Sequence, residues 1–146
     1  MPKFMKMLNN ISRSQATFRK SYVSDKALNS GHYAFAQAIC KNPGCSQEEL
    51  ARELCINKST VARNLTCLEE KGYVTRTPLP SDKRQFSVHP TEKMRAALPE
   101  IKRASEEWML LLSEGISEDE LAVFNSVLLR MQEKAREITG KIEESK

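Results

Sequence analysis

The sequence predicts a mostly α-helical protein carrying one small β-hairpin, and three observations predict it. The 146 residues include only 5 Gly, 6 Pro and 6% aromatics, too little turn chemistry for the many hairpins of an all-β fold. Apolar residues recur at spacings of three and four along most of the chain, the period of helix faces. Only residues 73–89 show β-prone, partly alternating composition, on either side of a charged, proline-bearing tip. Hydrophobic residues at 40% suffice for a core, which argues against disorder, and the length rules out a multidomain enzyme.

Each element has its own signal. Phe4, Leu8, Ile11, Phe18 and Tyr22 form the stripe of a first helix, which the Ser24-Asp25 turn signal ends. A second helix, from about residue 30 to 41, carries Tyr33, Ala34, Ala36, Ala38 and Ile39. Asn42-Pro43-Gly44 stops it, because Pro has no amide donor and Gly permits the reversal. Ser46-Gln47-Glu48-Glu49 fits a capping box, with the Ser46 hydroxyl on the Glu49 amide and the Glu49 carboxylate reaching back, so a third helix starts there. Cys55-Ile56-Asn57 interrupts it, and Asn57 is a natural cap for a fourth helix opened by Lys58; the result is helix, short turn, helix. In the fourth helix Val61, Leu65 and Leu68 share one face. Ser59, Arg63, Thr66 and Glu70 lie opposite, Thr60 and Cys67 lie on a flank, and Gly72 closes the helix.

After the hairpin segments, 73–77 and 85–89, Thr91 caps a long helix with Met94, Leu98, Ile101, Trp108 and Leu112, in which Pro99 predicts a kink or local strain. Ser117-Glu118-Asp119-Glu120 is a second capping-box match. Behind it Leu121, Phe124, Leu128, Met131, Ala135, Ile138 and Ile142 keep helical spacing without a miss. An ordinary helix packed on its own domain would show this stripe. An intersubunit helix is the preferred reading, because three long amphipathic helices offer more apolar surface than the compact middle covers.

Charge is unevenly distributed. The first 40 residues carry six basic side chains and one acid, Asp25, whereas residues 96–146 are net acidic. A positive patch on a helical protein points to a polyanion partner, although a solvated mixed-charge surface is the plainer alternative. Cys40, Cys45, Cys55 and Cys67 contain no C-x-x-C pair and have only His32 and His89 to assist, so no metal site is predicted and the thiols read as reduced. No run reaches the roughly 20 apolar residues of a membrane span, and the N-terminal stretch lacks a signal-peptide core; the expected place is the cytoplasm, away from membranes.

A helix-turn-helix followed by a charged hairpin suits duplex DNA read from two grooves: a helix N-terminus in the major groove, a narrow wing on the minor groove or backbone. Ser46 and Gln47, at a positively polarised helix end, suit phosphate. Asn57, Lys58, Ser59, Thr60, Arg63 and Asn64 occupy the first turns of the recognition helix, with Arg63 the best base reader through guanine O6 and N7. On the wing Arg76, Lys83 and Arg84 supply charge, and Asp82 is placed to pair with Arg84 and aim its guanidinium. Any one of these residues alone reads equally as a cap or a surface ion pair; their order along the chain carries the argument.

Ser46-Gln47-Glu48-Glu49-Leu50-Ala51, Ile56-Asn57-Lys58-Ser59-Thr60-Val61-Ala62-Arg63, Leu68-Glu69-Glu70-Lys71-Gly72-Tyr73-Val74, Asp82-Lys83-Arg84 and Thr91-Glu92-Lys93 together resemble the MarR family of bacterial transcription regulators, over roughly residues 15–135. Met94 departs from the pattern, standing where a Gly usually follows Thr-Glu-Lys. The resemblance implies a homodimer with two winged-helix lobes on a pseudopalindromic operator and repression relieved by a small ligand or by oxidation. It divides the chain into an N-terminal dimerisation helix (1–28), a winged helix-turn-helix (29–90; recognition helix about 58–71, wing about 73–89) and C-terminal dimerisation helices (91–146). Phe4, Leu8, Ile11, Leu121, Phe124, Leu128, Met131 and Ile138 are then the dimerisation residues. No cofactor is implied beyond an effector, which for His32 and Tyr33, facing the family's crevice, would be a small aromatic or phenolic ligand. Two alternatives remain at this stage. One is a winged helix that only binds protein. The other is a redox-responsive regulator, for which Cys45, just ahead of the Ser46 cap, comes closest to an activated thiol. No metal cluster, phosphate loop or activated nucleophile suggests an enzyme.

Overall fold

The computed structural model describes residues 2–145. Met1 and Lys146, the outer ends of the two dimerisation segments, lie outside the described residues. The chain forms two compact units, Met1–Trp108 and Met109–Lys146. The first contains α1 (Pro2–Tyr22), α2 (Ser30–Lys41), β1 (Cys45–Ser46), α3 (Gln47–Leu54), α4 (Lys58–Glu70), β2 (Val74–Pro78), β3 (Phe86–Pro90) and most of α5 (Glu92–Leu112); the second is formed by the end of α5 and by α6 (Glu118–Glu144).

The caps form where side-chain oxygens can reach unpaired helix amides. Ser46 Oγ accepts from the Glu49 amide at 3.0 Å, Asn57 Oδ1 from the Thr60 amide at 2.8 Å, and Ser117 Oγ from the Glu120 amide at 3.2 Å. The box at Ser117 is complete, with the Ser117 amide donating to Glu120 Oε2 at 2.9 Å. These bonds hold the Glu120 carboxyl below its ordinary range. The box at Ser46 is not complete. Glu49 lies against the Ser46 hydroxyl at 3.4 Å and accepts from Asn42 Nδ2 at 3.2 Å, so its carboxylate closes the preceding turn rather than capping the backbone.

The hairpin gains a third strand that the sequence did not announce. The sheet is antiparallel in the order β1-β3-β2, with Val88 of β3 opposite Cys45 of β1 and Arg76 of β2. Gly44 makes the approach to β1 possible: at φ 86° its amide donates to the Val88 carbonyl at 2.7 Å. The core of this unit joins Tyr33, Phe35 and Ile39 of α2, Leu50 of α3, Val61, Leu65 and Leu68 of α4, Tyr73, Val74 and Val88 at the sheet, and Met94 and Ile101 of α5. Met94, where the family pattern has Gly, is fully buried. Helix α5 runs through Pro99 without a break, because Pro99 and Arg95, whose carbonyl loses its donor, are both exposed, where water can replace the bond.

Polar contacts tie the end of α4 to the segment after α1. Lys71 Nζ donates to the Ala27 carbonyl at 2.8 Å, and the Tyr73 hydroxyl donates to Asp25 Oδ2 at 2.5 Å. Burial and this carboxylate push the Tyr73 phenol far above its ordinary range. Lys93 donates to the Lys71 carbonyl at 2.7 Å and stands 4.5 Å above the Tyr73 ring, which fixes the start of α5 against the end of α4.

Candidate nucleic-acid interface

Three elements bring four of the predicted contact residues, Ser46, Gln47, Lys58 and Arg84, to one cleft, and Asn57, Ser59, Thr60, Arg63, Asn64, Arg76, Asp82 and Lys83 do not line it. The start of α3 supplies Ser46, Gln47 and Glu48, the start of α4 supplies Lys58, and the wing supplies Arg84, Gln85 and Phe86. Together they line a cleft of about 140 Å³. Lys58 Nζ lies 3.3 Å from Glu48 Oε1, both side chains more than half exposed, so this pair bridges the two helices of the helix-turn-helix loosely. With Lys58 paired to Glu48, Arg84 is the cation of this cleft left without an ion pair among the described residues, and it and the two helix N-termini favour an anionic ligand, because the unpaired amides of a helix start and its dipole both attract negative charge.

On α4, Val61, Leu65 and Leu68 face the core while Ser59, Arg63, Thr66 and Glu70 are exposed, as the period predicts. The first turn is internally ordered: Ser59 Oγ donates to Asn57 Oδ1 at 2.9 Å, and Arg63 Nη2 donates to Thr60 Oγ1 at 3.2 Å, laying the guanidinium along the helix surface. Asn64 is turned back, its Nδ2 on the Thr60 carbonyl at 2.8 Å and its side chain half-buried. Asn57 and Asn64 are thus committed to the helix, and Ser59, Thr60 and Arg63 form its presented edge.

The wing tip is ordered by backbone bonds. Asp82 Oδ1 accepts from the Arg84 amide at 3.0 Å, the Gln85 amide donates to the Asp82 carbonyl at 3.0 Å, and the Leu79 amide to the Gln85 carbonyl at 2.8 Å. This corrects the expected Asp82–Arg84 ion pair: the carboxylate takes the backbone N–H two residues on, the bond available to any Asp in a turn, and shapes the tip instead of aiming the guanidinium. Asp82, Lys83 and Arg84 are all exposed.

Arg76 departs further from expectation. Its guanidinium does not point outward with Lys83 and Arg84; it lies on Glu69 of α4, with Nη2 3.1 Å from Oε1 and Nε 3.4 Å from Oε2. The pair holds the Glu69 carboxyl below its ordinary range. Residue-type and spacing arguments carried no signal for this contact, since the partners sit on different elements and meet only in the fold.

His32 and Tyr33, the candidate ligand residues, are both in the core of the first unit. His32 Nδ1 accepts from the Asn29 amide at 3.4 Å, and burial first, then Lys71, lower its pKa. The Tyr33 ring lies 5.2 Å from the Arg19 guanidinium. Cys45 is 3% exposed, and burial together with Glu49 raises its thiol pKa, the opposite of an activated cysteine. Cys45 thus lacks the exposure and the lowered pKa that the redox reading asks of it. Among the described residues no His, Cys, Asp or Glu group could hold a metal ion, and no helix is long and apolar enough to cross a membrane. Of the candidate dimerisation residues, Phe4, Leu8, Leu121 and Leu128 are half-buried, and Ile11, Phe124, Met131 and Ile138 are exposed.

Comparison with known proteins agrees with this fold. The MarR family pattern matches residues 37–86, from within α2 to the start of β3. The HTH-type transcriptional regulator YybA of Bacillus subtilis is 26% identical over 132 residues, 90% of this chain and 88% of its own. A crystal structure of MarR superposes with a TM-score of 0.80 at 30% identity, covering 94% of this chain and 93% of the other. A MarR-family regulator from Listeria monocytogenes, crystallised with 26mer DNA, superposes with a TM-score of 0.87 at 23% identity, covering 96% and 93%.

Proposed function

Because the chain belongs to the MarR family of DNA-binding, winged-helix transcriptional regulators, we propose that it acts in the cytoplasm as a homodimeric repressor. In this reading it is not an enzyme; it holds a pseudopalindromic operator until a small aromatic or phenolic ligand releases it. The observation that carries the DNA part is the convergence of the α3 start, the α4 start and the wing on one cleft; Ser59, Thr60 and Arg63 are presented on the same helix α4. The 26mer DNA in the crystal of the Listeria relative supports DNA as the partner in this reading. The apolar stripe of α6, which has no buried residue, supports the dimer.

Release follows from linkage. Two lobes entering successive major grooves must sit about 34 to 36 Å apart. A ligand that binds better at another spacing weakens DNA affinity by that preference. His32 and Tyr33, expected from the sequence to touch the ligand, are instead packed in the core at the start of α2, so the ligand's contacts are not assigned to them.

Fluorescence anisotropy tests the reading, with a duplex from upstream of the protein's own gene, a scrambled duplex and a salt series. The expected result is preferential binding as a dimer. Arg63→Ala should cost about 1 to 3 kcal/mol and relax base choice, and Arg84→Ala should weaken all duplexes evenly while lowering the salt slope by about one. Absence of binding even at low salt would turn the surface toward protein partners.

A further inference from the structure

Arg76 is among the wing residues that the sequence assigns to DNA, yet its bonding is spent inside the protein. Beyond the two guanidinium contacts to Glu69, its backbone amide donates to Glu69 Oε2 at 3.2 Å and its Nη2 donates to Thr66 Oγ1 at 3.3 Å. The guanidinium stands 5.8 Å from the Phe86 ring centroid on the neighbouring strand. The side chain is 18% exposed, whereas that of Glu69 is 40% exposed. One residue therefore joins the DNA-facing helix α4, strand β2 and strand β3 through a planar, multiply bonded fork, a geometry that a lysine or a flexible surface pair does not reproduce.

We propose that Arg76 is a positioning residue which fixes the bearing of the wing on the recognition helix, and that Glu69, although acidic and on the helix that meets DNA, raises DNA affinity through it. The inference rests on the proposed use of α4 and the wing against one duplex. Two contact points on a rigid link engage together, because the second finds its groove at a high effective concentration. A wing freed from α4 must be ordered when it binds, and that entropy is subtracted from affinity. An unpaired acid at the same place would only repel phosphate.

The sign for Glu69 is the decisive measurement. Binding of Glu69→Gln, Arg76→Ala, Arg76→Lys and the Glu69→Gln/Arg76→Ala double variant to the operator duplex is followed by anisotropy across a salt series. Circular dichroism reports folding. Glu69→Gln should weaken binding about tenfold even though it removes a negative charge. Arg76→Ala should do the same with an unchanged salt slope, the double variant should be no worse than either single one, and Arg76→Lys should recover part of the loss. Faster amide hydrogen exchange in β2 and β3 of DNA-free Glu69→Gln is expected alongside. Tighter binding by Glu69→Gln, or a salt slope lowered by about one in Arg76→Ala as for a phosphate contact, would overturn the proposal. Glu69→Gln alters an exposed side chain, so it decides the matter even if Arg76→Ala unfolds. Failure of the wild type to bind DNA at low salt would instead overturn the DNA reading, and this inference with it.

Discussion

The winged-helix unit and helix α6 solve the burial problem in opposite ways. In the first, helices only 8 to 13 residues long bury Ile39, Leu50, Val61, Leu65 and Leu68 almost completely, because the sheet and three neighbouring helices close around them. In α6, 27 residues bury none, and Val123, Phe124, Val127, Leu129, Met131, Ile138 and Ile142 remain exposed. A helix of that length is held in water by packing of its apolar face more than by propensity. The difference teaches that the winged-helix unit buries its apolar faces within one chain, whereas the apolar stripe of α6 stays uncovered, the feature on which the proposed dimer rests.

Replacing the stripe should break this comparison with the largest effect. Phe124→Asp is expected to sediment as a monomer, and loss of the linked second lobe should lower operator affinity about 100-fold or more. Helical content of the winged unit should persist, as checked by circular dichroism and analytical ultracentrifugation. A dimer of unchanged stability would show that α6 does not carry association. The converse variant is Leu65→Ala. Its side chain is fully buried, and truncation should cost about 2 to 5 kcal/mol in urea unfolding through lost transfer energy and a cavity at the centre of the recognition helix.

The same contrast marks what was legible in the sequence. Helix order, the Ser46, Asn57 and Ser117 caps, and the division of α4 into a core face and a presented face follow from local chemistry and period, and the structure has each of them. Strand β1 was not legible, because two residues carry no alternation; it exists through its pairing with β3. The sequence nominates residue types for the candidate surface, but not the bonds they make in the fold. Asp82 and Arg84 do interact, through a backbone amide rather than a guanidinium, and Arg76 turns inward to Glu69. Spacing identifies neighbours along one element; it does not rank the partners that tertiary packing brings.

Acid sharpens the comparison next. The winged unit holds His32, whose pKa the fold shifts, and α6 has no histidine, so a response of stability to pH between about 7.5 and 5.5 is expected in the winged unit. Burial and Lys71 depress its pKa in the folded state, while the unfolded chain protonates near the ordinary 6.5. The unfolded state then binds more protons, so stability is full above that value and is lost as pH falls through the folded pKa. Denaturant midpoints should decline across this window in the wild type and stay flatter in His32→Gln, whatever the variant's absolute stability. Equal slopes would place the titration elsewhere.

The smallest expected effect tests whether the winged-helix unit is free of strain. Cys55, in the turn between α3 and α4, has φ 53°, the sole positive value among the described non-glycine residues. It is held there because the Ile56 amide donates to the Ala51 carbonyl at 3.0 Å, ending α3 in a left-handed cap. A side chain in that region costs about 1 to 2 kcal/mol, and Gly escapes the cost but loses about 0.5 to 1 kcal/mol more backbone entropy on folding. Cys55→Gly should therefore stabilise the protein by about 0.5 kcal/mol, the difference of those terms. Cys55→Ala keeps the Cβ and removes an exposed thiol whose bond to the Arg52 carbonyl is long and weak at 3.8 Å, so it should leave the urea midpoint nearly unchanged. A gain in both variants would trace to the thiol, and a loss in Cys55→Gly would mean that the turn between α3 and α4 is relaxed as it stands.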